Sequence, residues 1–119
     1  MAAIELQGVD IVFGSSPERA LPLLDQGLAR AEILRRTGLL LGVAGASLSI
    51  EQGEICVLMG LSGSGKSTLL RAINRLTPVV RGRVLVAHRG REVDVARCDD
   101  ASLRELRSTR IAMVFQQFA

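Results

Sequence analysis

The chain has 119 residues, with 15 basic and 12 acidic side chains and a net charge of +3, a length that fits one domain. Its longest uncharged run, Thr37 to Ile50, is 14 residues with Gly and Ser inside it, too short to span a membrane and of a length usual for buried core. A mean hydropathy of +0.30 then indicates a filled α/β core, and 48% hydrophobic residues exclude disorder.

The start, Met1-Ala2-Ala3-Ile4-Glu5, has no basic stretch leading into an apolar one, so no secretory signal is expected. Cys56 and Cys98 are too few for a disulfide framework, and a reducing compartment follows. Cys56, inside an apolar run, is expected in the core, whereas Cys98, in a loop, is a candidate reactive thiol. Of the 15 basic residues 14 are Arg, and the single Lys is Lys66. The Arg excess is read as codon usage and a solvated surface: the basic residues are spread along the chain with no aromatic interleaved, so no nucleic-acid partner is expected.

Taken in order, Ile4 to Phe13 alternates loosely and slips phase at Gln7-Gly8, which predicts a strand with a bulge. Pro17 suits a first helical position with Ser16 as its cap. Leu21, Leu24 and Leu28 have helical spacing weakened by Pro22 and Gly27, and Ala29 to Arg36 is a second short helix stopped at Thr37-Gly38. Val43 to Ile50 alternates again, with Ala44, Ala46, Leu48 and Ile50 on one face, and Glu51-Gln52-Gly53-Glu54 predicts a hairpin turn. Ile55 to Met59 and Ile111 to Phe115 are continuous apolar runs, the pattern of parallel strands buried on both faces. Between them come a helix over Ser67 to Leu76, ended by Thr77-Pro78, a strand over Gly82 to Ala87, a turn at Arg89-Gly90 and a shorter strand over Arg91 to Val95. A helix through Leu103 and Leu106 follows, capped near Asp99-Asp100. His88, at a strand end, is expected as an exposed turn residue.

Gly60-Leu61-Ser62-Gly63-Ser64-Gly65-Lys66-Ser67-Thr68 fits G-x-x-x-x-G-K-[ST]. A polyphosphate needs many donors converging on a small volume, and Gly60, Gly63 and Gly65 let the backbone of Ser62 to Ser67 wrap closely enough to supply them. The helix that follows adds its positive end. Lys66 places a compact cation on the β- and γ-phosphates, where a planar guanidinium fits poorly; this explains why one position departs from the chain's use of Arg. Ser67 is the candidate Mg²⁺ ligand, and Thr68 a hydrogen-bond donor nearer the nucleoside.

With these motifs the chain resembles the ATP-binding subunits of ABC transporters. Ser62 to Thr68 has the form that family uses, Ile111 to Gln116 looks like the strand ending in its Q-loop, and Phe13-Gly14 matches the adenine-stacking aromatic. Between Phe13 and Gly60 lie 46 residues, more than in most members, and the extra segment, with Gln26-Gly27-Leu28, Ile33 to Gly38 and Leu41-Gly42-Val43, is similar to that of importers for glycine betaine, proline and choline. The resemblance implies an α/β P-loop NTPase, an ABC-type nucleotide-binding domain. Its parts would be an antiparallel β-layer over 1–54 with a helical insert at about 15–42, then the start of the parallel core over 55–119.

It further implies ATP and Mg²⁺ as ligands, Phe13 on adenine, Gly60 and Ser62 to Thr68 on the phosphates, and Lys66 and Gln116 in catalysis, with Ser67 and Gln116 at the metal. The implied partners are a second copy of the subunit, a transmembrane permease and, indirectly, a substrate-binding protein, and the implied location of the subunit is peripheral, at the cytoplasmic face of the inner membrane. The family's Asp-Glu element, its signature motif and its switch His are not among these 119 residues. In the family all three lie beyond the Q-loop, so a chain that stops midway is expected. Two readings compete: a nucleotide-binding fragment without hydrolytic activity, and a small P-loop nucleotide kinase.

Overall fold

The computed structural model describes residues 2–60 and 65–114. Four strands, β1 (Ile4–Phe13), β2 (Leu40–Ile50), β3 (Arg81–His88) and β4 (Arg91–Asp94), form one antiparallel sheet in the order β2-β1-β3-β4. Between β1 and β2 the chain makes a 3₁₀ turn (Pro17–Ala20) and two short helices, α1 (Leu21–Asp25) and α2 (Arg30–Thr37). Helices α3 (Lys66–Ile73) and α4 (Asp100–Thr109) complete the described elements.

The slip at Gln7-Gly8 is a bulge in both pairings of β1. It is matched across the sheet by Gly82, at φ +102°, where a Cβ would lie 2.4 Å from the Gly8 carbonyl oxygen and force the strands apart. Beyond the bulge Val9, Asp10, Ile11 and Val12 are all buried. Alternate side chains of a strand point to opposite faces, so both faces of β1 are covered. Leu6, Val9 and Ile11 pack with Val84, Val86, Val95, Ala72 of α3 and Leu103 and Leu106 of α4. Val12 packs on the other face with Leu41 and with Ala20, Ile33 and Leu39 of the segment joining β1 to β2. The helical segment is thus a lid on one face of the sheet, and α3 and α4 lie on the other.

One ionic network ties that lid down. The Asp10 carboxylate, 3% exposed, accepts the Gly45 N–H at 2.7 Å and the Arg81 Nε–H at 2.7 Å. Arg81 turns its two remaining nitrogens to the Asp25 carboxylate at the end of α1, at 3.1 and 2.8 Å. The Gly45 contact closes a second irregularity, where the β1–β2 register shifts between Val9–Ala46 and Ile11–Val43. That shift leaves Ala44 exposed rather than in the apolar row with Ala46, Leu48 and Ile50.

Several local expectations hold. Pro17 opens the 3₁₀ turn, although Ser16 contributes only its carbonyl, to the Arg19 N–H at 3.1 Å, and no side-chain cap. Gly38 ends α2, Arg89 and Gly90 turn β3 into β4, and the Asp99 carboxylate caps α4 by accepting the Ser102 N–H at 2.8 Å.

Other expectations do not. Residues 55–59 and 111–114 form no strand, and Ile55, Val57, Met59 and Val114 are 93%, 71%, 88% and 94% exposed. The turn at Gln52-Gly53 is present, with the Glu54 N–H on the Glu51 carbonyl, but it closes no hairpin. A strand buried on both faces needs neighbours on each side, and none pairs with these segments among the described residues. Cys56, within the first of them, is exposed rather than core. Helix α3 ends at Ile73, three residues short of Leu76, because the Leu76 and Thr77 N–H groups fold back onto the Arg71 carbonyl.

His88 is mostly buried, with its Nε2 3.3 Å from a Glu105 carboxylate oxygen but outside hydrogen-bonding geometry. Cys98 packs against the core, and its burial pushes the thiol pKa up, which argues against a reactive thiolate. Nor are the arginines only surface charge. Arg75 donates to the Val95 and Cys98 carbonyls, Arg97 to Gly82, Arg107 to Asn74 and Arg110 to Ala87, so that four of them satisfy backbone carbonyls of β3, of the loop after β4 and of the end of α3.

The exposed apolar segment gives a direct expectation. The chain should bind a hydrophobic dye such as anilinonaphthalene sulfonate, and replacing Ile55, Val57 and Met59 together by Ser should remove most of that fluorescence without changing the far-UV circular dichroism of the antiparallel sheet. Undiminished dye binding in the triple variant would place the exposed apolar surface elsewhere.

A second expectation concerns acid. Hydrogen bonds from Arg81 hold the Asp25 carboxyl below its ordinary pKa, and those from Arg35 and Arg36 hold Glu32 of α2 at about 2. Groups depressed by folding stabilise the lid above their unfolded pKa, and that contribution is lost as the pH falls through the folded value. Hydrogen exchange of the α1–α2 amides should therefore accelerate between about pH 4.5 and about pH 2, relative to that of β3, after correction for the intrinsic pH dependence of exchange. Arg81→Met should remove the Asp25 part of that response.

Candidate nucleotide-binding site

Helix α3 begins directly at Lys66, with Gly65 at its N-cap in a left-handed conformation, φ +94°. Leu69, Ala72 and Ile73 face the core and Ser67 faces solvent, so packing of the apolar side aims the helix start. The helical ladder opens with the Leu69 N–H on the Gly65 carbonyl at 2.9 Å, and Gly65, at the N-cap, has no side chain to offer the amides ahead of it. The first-turn N–H groups therefore point along the axis out of the helix, with the positive end of the dipole behind them, the arrangement that binds anions.

Gly65 is required twice over. Its φ is one that side-chain-bearing residues rarely adopt, and a Cβ there would lie 2.7 Å from the Gly42 carbonyl oxygen of β2 and 3.3 Å from Val43 Cγ2. The loop thus touches the sheet backbone to backbone. Gly42 is equally confined: a Cβ on it would lie 2.8 Å from Phe13 Cε2 and 3.4 Å from Thr68 Cγ2. The end of β1, the start of β2 and the first turn of α3 therefore meet at one point.

Of the residues expected in the site, Phe13, Gly65, Lys66, Ser67 and Thr68 are brought together in this corner. Phe13 closes β1 as a residue 41% exposed, paired across the sheet with Leu40. Gly60 lies in an irregular, exposed segment ahead of the loop. Ser62, Gly63, Ser64 and Gln116 lie outside the described residues. Gly42 was not expected here, although a glycine inside a strand pattern is the usual sign of a close backbone approach. Among the described residues no group of His, Cys, Asp and Glu has the arrangement of a metal site. The donor set fits Mg²⁺ held mainly by phosphate, since Ser67 offers an exposed hydroxyl at the helix start and Mg²⁺ takes few protein ligands beside substrate phosphates.

Residues 43–119 match the ABC transporter family. The chain belongs to the ABC transporter family. It is 53% identical over 116 residues to the glycine betaine/proline betaine transport system ATP-binding protein ProV of Escherichia coli (strain K12), a match covering 98% of this chain and 28% of that protein. It is 42% identical to the glycine betaine/carnitine transport ATP-binding protein GbuA of Listeria monocytogenes, over 99% of this chain and 29% of that protein. With the phosphonates import ATP-binding protein PhnC of Frankia casuarinae the identity is 46%, over 72% of this chain and 32% of that protein. The chain thus spans under a third of the length of these ABC relatives. The two matches to betaine transport proteins cover almost the whole chain, β1 and the helical lid included, whereas the phosphonate match covers 86 residues. No helix among the described residues is long and apolar enough to cross a membrane.

Substituting Gly65 by Ala should disturb the corner from both sides. The left-handed backbone adds roughly 1–3 kcal/mol of strain, and the methyl group meets the Gly42 carbonyl, which belongs to the sheet and cannot rotate away. ATP affinity measured by calorimetry should fall on the order of tenfold or more, with the β-sheet circular dichroism retained; an unchanged affinity would show that the Gly65 conformation is not needed for binding.

Proposed function

We propose that the protein is the ATP-binding and ATP-hydrolysing subunit of an importer for a quaternary-amine compatible solute of the glycine betaine, proline and choline group. The observation that carries this reading is the corner itself: a phosphate loop ending at Gly65-Lys66-Ser67-Thr68 and held against β2, with an exposed aromatic, Phe13, beside Thr68. The matches to betaine transport ATP-binding proteins over almost the whole of this chain, lid included, support the solute class.

In this reading Phe13 stacks on adenine, while the amides of Gly63 to Ser67, with Gly60, Ser62 and Ser64 shaping the loop, hold the phosphates. Lys66 neutralises the β- and γ-oxygens, where charge builds as the terminal phosphoryl group leaves. Ser67 would hold Mg²⁺, which would supply further charge neutralisation when bound with the nucleotide. Gln116 would touch the metal or the attacking water and would couple the site to a permease. Two copies would enclose the nucleotides, and a substrate-binding protein would deliver the solute to the permease at the cytoplasmic membrane. The chain divides, on this view, into an antiparallel layer over 1–54, carrying its insert at about 15–42, and a phosphate-loop core over 55–119.

These 119 residues contain no apolar strand closed by Asp-Glu, the element that would polarise water in this family. The chain by itself should therefore bind Mg-ATP weakly and release no phosphate above background, and Lys66→Ala should abolish the binding. Mg²⁺-dependent phosphate release that vanishes in Lys66→Ala would contradict this. Transfer of phosphate to a nucleoside monophosphate would favour the kinase reading instead.

A further inference from the structure

We infer that Gly42 is a positioning residue for the nucleotide base, and that it acts by what it lacks. The inference rests on the reading of Phe13 as the base platform and adds to it the element that sets the platform's orientation.

Phe13 and Leu40 are direct cross-strand partners, so their side chains stand on the same face of the sheet. This is the face of α3: Val12, one residue earlier, points into the lid core, and Phe13 therefore points the other way. On that face the Phe13 ring has Leu40 on one side and Gly42 on the other. Leu40 is a full side chain, 47% exposed. Gly42 is a gap, and the ring leans into it: Phe13 Cε2 comes within 2.8 Å of the position a Cβ would take. The ring thus covers a bare stretch of β2 backbone, as aromatics do across antiparallel strands. Thr68 Cγ2 borders the same position at 3.4 Å, so the tilt of the ring is set by the one residue that lets it reach the phosphate-loop helix.

The remaining contacts of Gly42 make its position rigid. Its carbonyl oxygen abuts Gly65, and a Cβ on it would lie 3.3 Å from the Ile11 carbonyl oxygen. Any side chain at 42 must therefore move the ring, because the backbone on the other sides is held in the sheet. A ring driven off Gly42 loses its place beside Thr68, and a base stacked on it would no longer line up with phosphates at the start of α3. Contacts to the triphosphate itself would be unaffected, since none of them uses the ring.

The test compares ATP with inorganic tripolyphosphate, binding of each being measured by calorimetry on the chain and on Gly42→Ala, Phe13→Ala and the double variant. Gly42→Ala should weaken ATP roughly five- to tenfold, the scale of a lost base–aromatic stack, and leave tripolyphosphate unchanged. In the Phe13→Ala background the same substitution should have no further effect, because the ring it displaces is gone.

If Phe13→Ala leaves the ratio of the two affinities unchanged, Phe13 does not hold the base, and the reading beneath the inference fails. If Phe13→Ala lowers the ratio but Gly42→Ala does not, that reading stands and the role of Gly42 is overturned. Equal weakening of both ligands by Gly42→Ala would also overturn it, by showing an effect through Gly65. Should Gly42→Ala fail to fold, the double variant decides: recovery of the fold when the ring is removed supports the contact, and continued failure assigns the clash to the backbone and overturns it.

Discussion

The carbonyl of Gly42 occupies the space that a side chain on Gly65 would need, so the start of α3 can approach the sheet this closely only with glycine at 65. A phosphate-binding turn has no rigidity of its own. It is a run of glycine-rich backbone whose donors converge only while something fixes its ends. Here the end that carries Lys66 is fixed twice: by the apolar face of α3 on the core, and by two glycines touching across β2 and the helix start. The second contact is the more exacting, because both partners are backbone and neither can adjust.

That contact depends in turn on the register of β2, which is set from inside the sheet. Without the shift between Ile11 and Val12, Gly42 rather than Leu41 would stand opposite Val12 and would not face Phe13 and Gly65, whereas the two earlier shifts cancel and leave Ile11 opposite Val43. The Asp10 carboxylate takes the Gly45 N–H that the irregular pairing would otherwise leave over, and Arg81 neutralises the buried charge while reaching out to Asp25. A buried carboxylate is tolerable only when its oxygens are hydrogen-bonded and its charge compensated; here both conditions are met by Gly45 and Arg81, from two other parts of the chain. The helical lid is therefore connected to the proposed nucleotide corner through Arg81 as well as through its packing on Val12 and Leu41, the neighbours of Phe13 and Gly42. It packs on the face opposite α3, yet its anchor, Asp25, shares Arg81 with the residue that fixes β2.

Much of this was legible in the sequence where the signal is local. The Gln7-Gly8 slip, the stop at Gly38, the Arg89-Gly90 turn and the Asp99 cap each follow from conformational preferences of a few adjacent residues, and each appears as expected. The loop motif from Gly65 to Thr68 was legible because phosphate chemistry constrains residue type at fixed spacing, and Phe13 was expected from the family resemblance; the structure brings Phe13, Gly65 and Thr68 to one corner. What was not legible depends on residues distant in sequence. An apolar run such as Ile55 to Met59 specifies a wish for burial but not the neighbours that provide it, and its side chains stand exposed. His88 looked like a turn residue because α4, 12 or more residues later, is what covers it. The Asp10–Arg81–Asp25 network joins positions up to 71 apart, and four arginines counted as surface charge close backbone carbonyls that only the folded chain brings within reach.

The central claim is that one corner of the molecule, where β1, β2 and α3 meet, holds base and phosphates together. The most direct measurement is a crystal structure of the chain with Mg²⁺ and a non-hydrolysable ATP analogue. The expected result is the adenine ring stacked on Phe13 beside Thr68, with the phosphates at the amides from Gly65 to Thr68. A base lying on another surface with Phe13 uncovered, or phosphates bound away from the start of α3, would contradict it.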